Sequence, residues 1–182
     1  MKPPQLVLLT GGTGKLGIFT AKYLVEHGYT IILTSRKINA AKEACHNIIH
    51  SSNIDEHKIK DILFPFCLDI SNKRNIEHFF ESLLNKKLIP HALVNIAAID
   101  NQDSLEALNY KSMENILRVN FTGTAYLSSL LSSYWKNNGI NGSIVTVSTL
   151  LTCSGANNSA IYAASKAALE AFFINLAVEH GV

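Results

Sequence analysis

Five short apolar runs, separated by stretches of helical length, constrain the fold of this chain more than any other feature. The runs are Leu6 to Leu9, Tyr29 to Leu33, Ile62 to Leu68, Ala92 to Ile96 and Ile144 to Val147. Each is short for a helix and too evenly apolar for a strand with one wet face, so each predicts a strand buried on both sides. Between them, Ile18, Ala21, Leu24 and Val25 recur as a helix face, as do Ala41, Ala44, Cys45, Ile48 and Ile49, and then Ile76, Phe79, Phe80, Leu83 and Leu84. Met113, Ile116, Leu117, Phe121, Ala125 and Leu131 mark a stretch containing a longer helix. Buried strands joined by helix-length crossovers pair in parallel, so the expected fold is a three-layer α/β arrangement with five strands.

Composition sets the outer limits. A chain of 182 residues with 47% hydrophobic and 16% charged residues can bury a core and has room for one domain. A net charge of +2 gives no drive toward nucleic acid or an anionic membrane, so neither is expected as a partner. Cys45, Cys67 and Cys153 are widely spaced and cannot all pair, which points to a reducing, cytoplasmic setting. His46, His50 and His57 lack a repeated ligand pattern, and no metal site is expected. No leader peptide and no membrane-spanning run of roughly 20 apolar residues stands out. Ser51 to Asp61 and Asp100 to Ser104 read as surface connections, and Asn137 to Gly142 as a turn. Gly181 reads as a helix stop and Val182 as the start of a further element, so 1–182 is expected to be a single domain, incomplete at its C-terminal end.

Thr10-Gly11-Gly12-Thr13-Gly14-Lys15-Leu16-Gly17 follows the first run and opens the first helix, and makes 1–182 a single dinucleotide-binding domain in expectation. Gly12, Gly14 and Gly17 have the spacing that permits a tight turn, close approach of a pyrophosphate and tight helix-to-strand packing. A flexible glycine-rich turn is the plain alternative. Lys15 is followed by Leu16 instead of Ser or Thr, which excludes the triphosphatase phosphate loop. The second run ends in Thr34-Ser35-Arg36-Lys37, without the acid that holds a ribose 2′-hydroxyl. Arg36 suits a 2′-phosphate, favouring NADP(H) over NAD(H), unless it is simply a solvated strand-end residue. Asp69 suits either an adenine amino group or a turn capped with Ser71.

Tyr162-Ala163-Ala164-Ser165-Lys166, together with Thr10 to Gly17, Asn120 and Ser148, closely resembles the short-chain dehydrogenase/reductase family. The nearest type is the compact NADP-dependent reductases, including those acting on 3-oxoacyl thioesters. The resemblance implies a Rossmann-like fold and reduction of a carbonyl substrate or the reverse oxidation of an alcohol. It implies that Tyr162 is the general acid and base, that Lys166 also binds the nicotinamide ribose, and that Ser148 polarises the carbonyl. Asn120 would support a proton relay toward Lys166, and Asn95 and Ala97 would border the cofactor. Four-residue spacing places Tyr162 and Lys166 on one helix face, where the ammonium is expected to lower the phenol pKa.

Taken singly, Tyr162, Lys166, Ser148 and Asn120 each have ordinary packing, solvation or capping uses. The chain also departs from the family pattern. Asn95-Ile96-Ala97-Ala98 stands where Asn-Asn-Ala-Gly is usual, and the glycine spacing has a likeness to the extended, epimerase-like branch. A non-catalytic dinucleotide-binding or assembly protein and a sugar-nucleotide epimerase are therefore the alternatives. There is no G-x-S-x-G elbow to suggest a hydrolase. The resemblance further implies a homodimer or homotetramer, formed through the helices around Met113 to Trp135 and Ala164 to Ala177.

Overall fold

Strand β1 covers Leu6–Thr10, β2 Thr30–Ser35, β3 Leu63–Cys67, β4 Ala92–Asn95 and β5 Ser143–Thr146. In the computed structural model, which describes residues 5–52 and 62–181, they form one parallel sheet in the order β3-β2-β1-β4-β5. Most of the polar connection expected over Ser51 to Asp61, together with His57 and Val182, lies outside the described residues.

Alternation along the central strands builds two cores. Val7, Leu9, Ile31 and Leu33 face helices α1 (Lys15–Glu26) and α2 (Ile38–Ser51), meeting Ala21, Val25, Ala44 and Ile48. Leu8, Ile32 and Leu93 face the opposite layer, α3 (Lys73–Asn85) and α5 (Thr124–Asn137), through Phe79, Leu83, Leu127 and Leu131. These strand side chains are 2% exposed or less, each contributing about 1.5–3 kcal/mol by burial. The three-layer expectation is met.

Both outer strands depart from the double-sided pattern. Pro65 lies within β3, where the edge position tolerates its missing N–H. β5 was expected to be buried like the others, yet Val145 is 56% exposed because no described element covers that face.

Helix α4 (Tyr110–Leu117), a π-helical turn (Arg118–Gly123) and α5 run on without a break. The expected long helix is therefore present, with a bulge inside it. A Cβ on Gly123 would come within 1.8 Å of the Ile70 carbonyl oxygen, so that close approach requires glycine. A short α6 (Leu151–Ser154) precedes α7 (Ala160–His180), which ends at Gly181 as the sequence predicts.

The absence of a membrane-length segment needs correction. α7 has 21 residues and a mean hydropathy of 1.3 over its most apolar window, enough by length and composition to cross a bilayer. Only 17% of that window is buried. The helix nevertheless carries buried Ser165, Lys166 and Leu169 against the rest of the fold.

Candidate active site

Parallel strands present their C-terminal ends on the same side, and the chain reverses its winding between β1 and β4. A crevice forms at such a switch point. Here it is a cleft of about 1050 Å³, bordered by the glycine turn, the ends of β2 and β4, and α7.

The Thr10 hydroxyl accepts the amides of Ile96 at 3.2 Å and Ala97 at 3.3 Å, lacing the ends of β1 and β4 together. Gly11 has φ +69°, and a Cβ there would lie 2.8 Å from the Ala97 backbone. A Cβ on Gly17 would come within 2.2 Å of the Gly11 carbonyl oxygen, so helix and turn meet backbone to backbone. Gly12 is buried against Leu33 and does not line the cleft. Thr10, Gly11, Gly14, Lys15, Leu16 and Gly17 do. Gly14 starts α1 without a side-chain cap and the first turn contains no acid, leaving the positive end of the helix available to an anion.

Lys15, Arg36 and Lys37 are exposed along the same cleft. Asp69 also lines it, but its Oδ1 accepts from the Ser71 amide at 3.0 Å and the Ser71 hydroxyl at 2.7 Å. The turn capped with Ser71 is formed, through Oδ1 alone. Ala97 borders the cleft. Asn95 does not; it is buried, with Nδ2 donating to Ser128 at 3.1 Å and Thr146 at 3.2 Å. Its Oδ1 is buried without a partner.

Helix α7 brings Tyr162 and Lys166 to the cleft together. Lys166 is 2% exposed, and burial holds its ammonium below the usual lysine range. Its Nζ donates to the Val147 carbonyl at 2.8 Å and lies 5.8 Å from the Tyr162 ring centre. The expected lowering of the phenol is not found. Burial, and secondarily the charge of Asp100, push Tyr162 above its ordinary value.

Asn120 sits in the π turn, fully buried and away from the cleft lining. It accepts from the Ile99 amide and donates to the Ile99 carbonyl, both at 2.8 Å, and donates to Ser165 at 3.1 Å. The segment after β4 is thus fastened to α7 beside Tyr162.

Ser148 is placed differently from its expected use. It does not line the cleft, and its hydroxyl donates to the Glu170 carboxylate on α7. The neighbouring Thr149 Oγ1 accepts from the Leu151 amide at 3.3 Å and donates to no described residue. Thr149, like Ser148, lies outside the cleft lining, two residues beyond Val147, which borders it, and the sequence carries no separate signal for it. Among the described residues there is no cluster able to hold a metal ion.

The family model of the short chain dehydrogenases matches residues 5–182. The chain belongs to the short-chain dehydrogenase family. Among members of this family, the 3-oxoacyl-(acyl-carrier-protein) reductase of Buchnera aphidicola subsp. Schizaphis graminum is 29% identical over 96% of this chain and 67% of its own. The 3-ketodihydrosphingosine reductase of Bacteroides thetaiotaomicron is 24% identical over 97% of this chain and 58% of its own. The chain thus spans roughly three-fifths to two-thirds of the length of these two relatives. A short chain dehydrogenase from Bacillus anthracis shares the fold, with a TM-score of 0.86 at 24% identity over 97% of this chain and 70% of that one.

Proposed function

We propose that residues 1–182 act as one dinucleotide-binding unit that takes NADP(H) and reduces a carbonyl substrate, or oxidises the alcohol in reverse. The observation that carries this reading is the convergence of Tyr162 and Lys166 on the cleft that holds the glycine turn and Arg36. The residues fit a dinucleotide: the uncapped start of α1 suits a pyrophosphate, and the cleft is as large as the roomiest ligand pockets, about 1000 Å³. Arg36 and Lys15 supply the charge for a 2′-phosphate, and no acid at the end of β2 opposes it.

When bound, the nicotinamide supplies the hydride. Tyr162 donates its proton to the substrate oxygen, and its raised pKa keeps that proton available at neutral pH. Lys166, fixed by Val147, offers its remaining donors to the cofactor ribose. Asn120 holds the wall at Ile99 in place. With the Ser148 proton engaged by Glu170, Thr149, just beyond β5, has a hydroxyl that donates to no described residue and is the group assigned to donate to the carbonyl oxygen.

Replacing Tyr162 by Phe tests the assignment. NADPH-dependent reduction across a carbonyl panel falls by about a hundredfold or more, while NADPH fluorescence titration is unchanged. Undiminished turnover in this variant overturns the role of Tyr162.

The stripe Ala167, Ala171, Ile174 and Val178 on α7 is exposed at helical spacing and supports a homodimer or homotetramer through that face. The three unpaired cysteines support a reducing, cytoplasmic setting.

A further inference from the structure

Glu170 lies one turn beyond Lys166 on the same face of α7. Lys166 holds the Val147 carbonyl, and Glu170 holds the next residue, accepting the Ser148 hydroxyl. The same carboxylate oxygen of Glu170 also lies 3.2 Å from the Thr152 hydroxyl, in α6. Thr152 in turn bonds the Thr149 carbonyl at 3.0 Å. An ionised carboxylate only accepts hydrogen bonds, so the Ser148 hydroxyl donates to it, while the single Thr152 proton is shared between Glu170 and the Thr149 carbonyl. The segment that leaves β5 is therefore gripped at 147, 148 and 152, on both sides of Thr149.

We propose that Glu170 is a positioning residue, a clamp on the Ser148–Thr152 turn that sets where the Thr149 hydroxyl stands relative to Tyr162. Its kinetic consequence rests on the carbonyl-reduction reading above; its structural consequence does not. Charge itself is not required, because a glutamine carbonyl oxygen accepts the same two hydroxyls. Misplacing a reacting group by about 1 Å costs on the order of a hundredfold in rate, so even a loosened turn has a large effect.

The test is amide hydrogen exchange of residues 148–154 in the wild-type chain, Glu170→Ala and Glu170→Gln, alongside NADPH titration and turnover. Faster exchange of this segment is expected in Glu170→Ala, with wild-type protection restored in Glu170→Gln. NADPH affinity stays within about twofold in both. Where the wild type turns over, kcat falls roughly tenfold to a hundredfold in Glu170→Ala, KM changes less, and Glu170→Gln recovers most of the rate. Should Glu170→Ala fail to fold, Thr152→Val removes one of the two ties and takes its place, with a smaller rise in exchange over the same segment. Unchanged exchange over 148–154 in the folded variant overturns the clamp, whatever the activity. Loss of protection in Glu170→Gln equal to that in Glu170→Ala also overturns it. If no protein turns over, the carbonyl-reduction reading fails and the exchange comparison still decides the clamp.

Discussion

Tyr162 holds its proton more tightly than a free phenol does, and the direction of that shift decides a pH profile. A proton donor works while protonated, so reductive turnover stays level through neutral pH and falls as the pH rises through a phenol pKa held above its ordinary value. Asp100→Asn removes the second cause of the shift, and the alkaline limb of kcat/KM moves to lower pH. At the other end of the cleft, Arg36→Ala weakens NADPH binding by about tenfold or more and leaves NADH nearly unchanged, as a lost charge-assisted hydrogen bond to a phosphate requires. Titration with both cofactors checks it. The buried Cys45, whose thiol burial pushes up to about 11, stays unreactive in the folded chain while exposed Cys67 and Cys153 are modified by a thiol reagent. At this scale the four-residue spacing of Tyr162 and Lys166 is legible from the sequence, since helix geometry alone puts them on one face. The facing of Ser148 is not. It depends on a carboxylate 22 positions later that reads, by itself, as an ordinary helix residue.

Among the elements, the strands are legible because runs such as Leu6 to Leu9 have no other way to bury every side chain. Their ends differ from expectation by a residue or two, since the apolar run and the paired backbone need not stop together. The π turn is not legible. Arg118–Gly123 carries no signal apart from Gly123, whose need for close contact comes from Ile70 in a distant loop. Two helix starts do carry a sequence signal, Asn72 and Asn109, favoured N-cap residues whose side chains accept the amides of Asn75 and Ser112 three residues on. Gly17→Ala pushes a methyl into the Gly11 carbonyl and forces α1 away from the turn, at a cost of about 1–3 kcal/mol. Urea denaturation reads that loss, and NADPH affinity falls with it, because the turn and the start of α1 shape one site.

For the whole molecule, the exposed stripe on α7 gives the oligomer its test. Light scattering over a concentration series is expected to report a dimer or tetramer, and Ile174→Glu with Val178→Glu to return a monomer; a wild-type monomer at every concentration removes the proposal. Layering and parallel pairing were legible in the alternation of runs and helix faces, whereas strand order was not, because periodicity says nothing about which strands become neighbours. That order has a further consequence. β1 is made before the other four strands yet occupies the middle of the sheet, with Leu9 beside both Leu33 and Val94. Its pairing with β2 is comparatively local, but its other edge stays open until residues 92–95 have been made. Late closure of a central, apolar edge raises contact order, slows folding and leaves the nascent N-terminal part exposed to wrong partners during translation.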